Sequence, residues 1–538
     1  MINISKKKDC CGCNACGDVC PKHSITFKID KEGFWYPEVE MDTCIDCHLC
    51  EKVCPLLNKE EYKNIDGYVK PKTYALVHKN IEVRFDSTSG GAFTALAEEV
   101  YKQGGFVGGA IYNEDWSVSQ FLSSSKNDLP KLRSSKYLQS HFDGFYKSVK
   151  EALKTEKPVL VCGSPCQMAA MFRYLKKPYE NLIIVDYICR GIASPMYFRK
   201  WINYLENKHN SKVIFYKAKS KELGWRKLST RIEYANGEAD VIAGHDNPWL
   251  MMQYKVPEIC RPSCFECSFK GFPRTSDITM GDLWAKKGSI PQNLDGDLGT
   301  SIVFANNAKG EAFLSRCFKK VEYKEFPFET AVKGNFHLEN AVRHSSYDRE
   351  TFFQDLNESF EECIDKYIPE FNHQQYSVKS KTKNFLKFVW KISSASGWSI
   401  STWRKNLWYN IFSSKVKTSI FKGHYFIIEK NCTIQINSKG RLILDSALYF
   451  GTKKVKGSIL DSRLLIESGG IMRIYGGDYS ISYGADIEVF RNALLEIGGG
   501  VGANIGLTIV CGDKIKIGKN SGCGRNVTIR DNNGGQRL

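Results

Sequence analysis

Eight of the chain's twenty cysteines fall in two matching runs. The first, CCGCNACGDVCP, places Cys10, Cys13, Cys16 and Cys20 ahead of Pro21. The second, CIDCHLCEKVCP, places Cys44, Cys47, Cys50 and Cys54 ahead of Pro55. C-x2-C-x2-C-x3-C-P is the spacing of paired iron–sulfur cubanes: three close thiolates hold one cluster, and the fourth cysteine reaches across to the other. The pattern therefore assigns Cys10, Cys13, Cys16 and Cys54 to one [4Fe–4S] cluster, and Cys44, Cys47, Cys50 and Cys20 to a second. Structural zinc sites use pairs of C-x2-C instead of triplets followed by C-P. Gly12, Ala15 and Gly17 are small enough for backbone N–H groups to approach the sulfurs and tune their potential. Cys11 fits neither run and reads as a bystander thiol.

A third group lies about two hundred residues further on, in CRPSCFEC. Cys260, Cys264 and Cys267 can hold three corners of a cubane and need a fourth ligand. Cys189, at the end of a strand in DYICRG, is the first choice, and Cys166 in GSPCQ the second. Zinc competes here because no C-P follows the triplet.

These thiols need elements to hold them. Residues 1–60 read as an α+β ferredoxin domain with two [4Fe–4S] clusters, in which SITFKIDKEGFWYPEV alternates as a short hairpin does. A ferredoxin domain alone stores and passes electrons, so its fusion to a larger body points to a second redox centre. Residues 73–345 read as α/β: EKPVLVCG as a buried strand, SPCQMAAMFRYL as a helix and NLIIVDYI as the next strand. Ser164 stands where an N-cap belongs and Pro165 at the first helical position. Ser87, Thr88, Ser89, Gly90 and Gly91 lead into a second amphipathic helix that ends at Gly104 or Gly105. Two Gly/Ser-rich helix starts suit either a phosphate-bearing cofactor or simple capping. No G-x-G-x-x-G is present, so a standard dinucleotide site is not supported.

A ferredoxin module followed by STSGGAFTALA, RSSKYLQS, GSPCQ, DYICRG, RPSCFEC and SDITMGDLW resembles the family of coenzyme F-420 hydrogenase/dehydrogenase beta subunits, over residues 1 to about 345. The resemblance implies FAD and iron–sulfur clusters that relay electrons to or from a small redox substrate, with a redox partner protein or reduced ferredoxin. It implies that Ser89, Gly90, Gly91, Gly163, Ser164, Pro165 and Gln167 line the flavin, and that Cys260, Cys264 and Cys267 belong to a third cluster beside it. It leaves the substrate open. Candidate positioning groups are Arg133, Ser134, Lys136 and Tyr137, together with Trp225 and Arg226.

At 538 residues the chain is too long for one core, and 42% hydrophobic with 25% charged residues describes a folded globular protein. No apolar signal core and no long apolar span are visible, and cysteines in such a chain suggest a reducing compartment, so the expected location is cytoplasmic. The formal charge is +17, and more than half of it sits between Phe371 and Ile428, which hold ten Lys or Arg and no Asp or Glu. That stretch also holds Trp390, Trp398, Trp403 and Trp408. Residues 346–426 therefore read as a helical basic, aromatic linker. It suits peripheral contact with an anionic membrane at the inner face, or packing of its aromatic face against the body; nucleic acid is not expected.

Residues 427–538 turn to short β-prone pieces with aliphatics near six-residue intervals around Ile497-Gly498, Ile505-Gly506 and Ile517-Gly518. This resembles the left-handed parallel β-helix of hexapeptide-repeat acyltransferases, which implies a homotrimer through the coil. Family analogy also points toward polysaccharide biosynthesis. Those enzymes use a histidine base shortly after such coils; here Gly535 stands at the matching place and no His follows His424. The whole is expected to be multidomain: an α+β ferredoxin module, a central α/β flavin-type domain and a C-terminal parallel (left-handed) β-helix. Two further readings remain: an electron-transfer subunit without its own substrate site, and a β-helix acyltransferase with a regulatory ferredoxin part.

Overall fold

A computed structural model describes residues 1–538 apart from 286–289, 291–292, 295–296, 370, 372–377, 398, 454–459 and 532–538, and apart from the side chains of 63, 64, 378–381 and 383. Trp398 and Gly535 thus lie outside the described residues. The chain divides into two compact units, Met1–Phe371 and Asn372–Leu538.

The first unit is built on a nine-stranded mixed sheet. Its order is Val321–Glu325, Lys72–His78, Ser301–Ala305, Ile278–Asp282, Leu182–Tyr187, Val159–Gly163, Phe106–Tyr112, Val118–Ser123 and Ser140–His141. The middle is parallel: Ile278 pairs with Val185, Val159 with Leu182 and Phe106 with Val159. Val159–Gly163, the helix Pro165–Leu175 and Leu182–Tyr187 form the expected βαβ unit. Helix Ala92–Lys102 buries Ala95, Leu96 and Val100 in one apolar cluster with Leu76, Val107 and Leu160.

The cysteine runs have the same local structure. Each has a left-handed residue, Asn14 or His48, one step before a five-residue helix, Ala15–Val19 or Leu49–Val53. Each helix ends on the last cysteine of its run, Cys20 or Cys54. Between the runs, Ile25–Ile29 pairs antiparallel with Trp35–Val39 as the expected hairpin. The module docks on the body: Cys13, Ala15 and Val53 share an apolar cluster with Phe145, Met168 and Ile184. Asp18 accepts from the backbone N–H groups of Gly144 and Tyr146, at 2.8 and 3.1 Å.

In the second unit, consecutive strands from Val416 to Ile517 go to three different parallel sheets, and every third strand returns to the same one. Leu442 stands beside Met472, Met472 beside Leu495 and Leu495 beside Ile515, all buried. The chain therefore returns after 30, then 23, then 20 residues, so the spacing tightens along the unit. Helical residues close one end. The side-chain amides of Asn406 and Asn410 each bond both backbone groups of a facing residue, Ile428 and Phe426, at 2.6–2.8 Å. They satisfy a strand edge that would otherwise be open.

Candidate functional site

The first run brings its sulfurs against its own backbone. The N–H groups of Gly12, Ala15 and Gly17 hydrogen-bond to the thiols of Cys10, Cys13 and Cys16, so the three small residues act where small size is needed. Burial pushes the Cys16 thiol well above its ordinary range, and neighbouring Cys13, Cys10 and Cys54 push it further. Burial likewise pushes Cys54 up to about 12, with Cys13 adding to it. Cys10, Cys16 and Cys54 each feel the charge of Cys13, so the four thiols share one site, and bound metal would offset that repulsion. Cys20, Cys44, Cys47 and Cys50 line a second, small cavity. There Cys50 accepts from the Ile2 N–H at 3.2 Å and Cys20 from the Ser24 N–H at 3.4 Å. Both thiol sets have the donor chemistry that a cubane takes, with N–H···S bonds that stabilise thiolate charge.

The third group assembles across the fold. Burial pushes Cys189 up to about 12, and Cys166, Cys267 and Cys260 add to the shift while Lys270 opposes it. Cys264 feels Cys260, Cys189 and Cys166 and accepts from the Ile192 N–H at 3.3 Å. Gly191 passes so close that a Cβ there would lie 2.9 Å from the Cys260 sulfur. Cys189 and Cys166 thus both stand beside the triplet. The Cys166 sulfur, however, faces the Ser164 hydroxyl at 3.3 Å and the Cys11 thiol. Cys11 also hydrogen-bonds to Cys13, which places it between the first and third thiol groups.

A cavity of about 480 Å³ opens beside the third group, with Cys189 and Cys260 in its wall. Ser89 and Gly91 line it from one helix start, and Gly163 and Gln167 from the other. Gly90 instead turns its N–H to the Ser301 hydroxyl at 2.9 Å. Ser164 is fully buried, and Pro165 borders a different cavity. Gln167 is held at both ends of its amide: the oxygen accepts from the Ser164 N–H at 3.0 Å and the nitrogen donates to Ser140 Oγ at 3.0 Å.

Arg133, Ser134, Lys136 and Tyr137 all line the cavity. The Lys136 ammonium sits inside its own loop, donating to the carbonyls of Lys131, Leu132, Arg133 and Ser134 at 2.8–3.3 Å. Trp225 stands behind the wall, stacked at 4.5 Å on Trp284, which does line the cavity. Arg226 lies over the Trp225 ring.

Several residues around the thiol groups and the cavity escape a reading by motif. Lys219 and Asp282 pair at 2.5 Å in the cavity wall; burial opposes the Lys219 charge, and Asp282 more than offsets that, raising its pKa. Arg261 is fully buried and donates to the carbonyls of Cys10 at 2.7 Å and Trp35 at 2.9 Å, and to Gln139 Oε1 at 2.9 Å. It follows Cys260 directly, so one guanidinium ties the third group to the first. Its place inside CRPSC was the only available signal. Gly12, with φ +69°, leaves no room for a Cβ beside Gln139 and Arg261.

Paired thiol sets, a mixed α/β sheet and a cavity walled by cysteines define an iron–sulfur electron-transfer protein. Comparison with known proteins agrees. Residues 9–57 match the 4Fe-4S dicluster domain, and residues 156–330 match the C terminus of the coenzyme F420 hydrogenase/dehydrogenase beta subunit. The second match contains GSPCQ, DYICRG, RPSCFEC and SDITMGDLW, while STSGG and RSSKY lie ahead of it. An uncharacterized protein of Methanocaldococcus jannaschii is 24% identical over 57% of this chain and 86% of its own. A component of the F(420)H(2) dehydrogenase of Methanosarcina mazei is 22% identical over 33% of this chain, which spans about half (51%) of that relative. Among solved structures, a chain of the F420-reducing [NiFe] hydrogenase complex from Methanosarcina barkeri aligns over 53% of this chain and 100% of its own, with 16% identity and a TM-score of 0.33. The chain is an iron–sulfur protein related to the coenzyme F420 hydrogenase/dehydrogenase beta subunit.

Proposed function

We propose that this chain is an iron–sulfur flavoprotein oxidoreductase that passes electrons between [4Fe–4S] clusters and FAD, to or from a small redox substrate. The observation that carries the reading is a shared wall: Cys189 and Cys260 line the same cavity as Ser89, Gly91, Gly163 and Gln167. Its volume is in the range of cofactor sites. A flavin there would supply the coupling between one-electron clusters and two-electron hydride transfer.

The chain's own residues would do the rest. The helix beginning at Ala92 presents its N-terminal N–H groups, and the positive end of its dipole, behind Ser89 and Gly91. Gln167, fixed at both amide ends, offers an oriented polar edge. Lys219, held in place by Asp282, offers an oriented N–H donor to cofactor or substrate. Trp284, Trp249 and Tyr254 supply aromatic walls that exclude water. The Cys189 assignment as fourth ligand of the third cluster belongs to this proposal, as does a redox partner protein or reduced ferredoxin at the exposed second cluster, where Cys47 is solvent-accessible. A deazaflavin acceptor is the substrate class that the relatives' names suggest. The reading places the protein in the cytoplasm, where thiols stay reduced. For the second unit we read the three parallel sheets as a β-helical coil that serves as a scaffold.

Anaerobic purification followed by iron, sulfide and flavin quantification on one sample tests the reading. About twelve irons and about one FAD per chain are expected from three cubanes and a flavin. About eight irons without flavin would leave two clusters and remove the enzyme.

A further inference from the structure

The second unit carries an apolar face that its own fold does not cover. Helix Val378–Ser396 buries Phe388, Ile392 and Ala395 against Tyr425, Ile427 and Ala447. A second stripe on the same helix, Phe385, Leu386, Val389 and Trp390, is exposed at 38–63%. At 100° per residue the four positions fall on one side of the helix, next to the buried face. Phe421, from a following turn, stacks on Phe385 at 6.1 Å and extends the patch. Trp408, Ile411 and Phe412 form a second exposed group further along, with Trp408 and Phe412 rings 6.2 Å apart.

Charge decides what such a face fits. Isolated exposed apolar residues are ordinary, but contiguous ones mark a contact surface. From Phe371 to Ile428 the chain has no acidic residue at all. Lys387 and Lys391 follow the stripe on the helix, with Lys391 5.1 Å from the Trp390 ring, and Arg404 and Lys417 are exposed nearby in sequence. A protein-binding face of ordinary composition would mix both signs. Asp445 and Asp478, which lie between neighbouring strands, face His424, but the segment that carries the rings holds cations only, which matches the interface of an anionic bilayer, where rings enter the headgroup level and lysines meet phosphates. Among the described residues no helix is long and apolar enough to cross a membrane, so the contact is with one surface.

We propose that the Phe385–Trp390 stripe with Phe421 is a peripheral docking face for anionic lipid. This does not depend on the redox reading, and vesicle binding can be scored without turnover. The full chain, purified anaerobically, is sedimented with vesicles of equal parts phosphatidylcholine and phosphatidylglycerol, and with phosphatidylcholine alone. Binding is expected to the anionic vesicles only and to weaken with salt. Lys387→Gln and Arg404→Gln should each lower partitioning about five-fold. Leu386→Ser with Trp390→Ser should lower it about ten-fold or more, with circular dichroism and melting unchanged because both side chains are exposed. Absence of binding, or equal binding to both vesicle types, overturns the proposal. So does a Leu386/Trp390 variant that binds like the parent; self-association lost in that variant would instead assign the face to protein contact.

Discussion

Replacing Arg261 is the sharpest test of how the sulfur-bearing segments are held together. Arg261→Met keeps most of the side-chain volume but leaves the carbonyls of Cys10 and Trp35 and the Gln139 oxygen without their donors. Hydrogen bonds to a charged group contribute about 1.5–3 kcal/mol each. They are not additive, and each buried neutral acceptor left unpaired costs about 1–3 kcal/mol. With about 2.1 cal/mol/K of unfolding entropy per residue, a loss of about 4 kcal/mol in the unit Met1–Phe371 lowers its melting temperature by about 5 °C. Cluster proteins unfold irreversibly, so parent and variant are compared as apparent midpoints at one scan rate. A second readout separates charge from packing. Arg261→Lys keeps a cation but cannot form the planar fork, so it should lose stability and keep the potential of the first cluster. Arg261→Met should also shift that potential to a more negative value, because a buried positive charge no longer favours the reduced cluster. Both are read from an anaerobic potentiometric titration followed by electron paramagnetic resonance. An Arg261→Met protein that melts with the parent, retains its iron and keeps its potential would refute the clamp.

Two further outcomes follow from the same geometry. Cys189→Ser is expected to lose about four of about twelve irons, while Cys166→Ser retains them; the reverse pattern makes Cys166 the fourth ligand. His141 lies flat on Trp35 at 3.8 Å, and burial lowers its pKa although Asp143 and Asp115 pull the other way. The unfolded chain therefore takes up a proton near pH 6.5 that the folded chain resists. Stability should be level above that pH and fall as pH drops below it. His141→Phe keeps a stacked ring and should flatten the fall; an unchanged slope of melting temperature between pH 7.5 and 5.5 would remove His141 as a cause.

Local spacing was enough to read the ferredoxin thiols. Cys10, Cys13 and Cys16 lie within one turn and loop, so their mutual reach depends on a few backbone angles, and Gly12, Ala15 and Gly17 could be recognised as the residues that bring N–H groups to sulfur. The capped helix at Pro165 and the hairpin between the runs were legible for the same reason. The edge-closing asparagines at 406 and 410 were not, because a four-residue spacing on a helix says nothing about which strand lies opposite. Nor could the exposed aromatic stripe be told from a packed one, since both have helical periodicity.

What the sequence by itself determined is thus the chemistry carried by neighbours in the chain: two ligand sets for cubanes, helix starts rich in Gly and Ser, and a basic, acid-free segment. Only the tertiary structure decided that Cys189 stands with Cys260, that Arg261 reaches Cys10, and that Lys219 meets Asp282 in the cavity wall. Those pairs are joined by strand order and docking, and the parallel pairing of Ile278–Asp282 with Leu182–Tyr187 cannot be read from the spacing of either strand. A thiolate's reach within a loop is set by covalent geometry. Its reach across a sheet is set by which strands pack side by side, and that follows from burial summed over the whole unit.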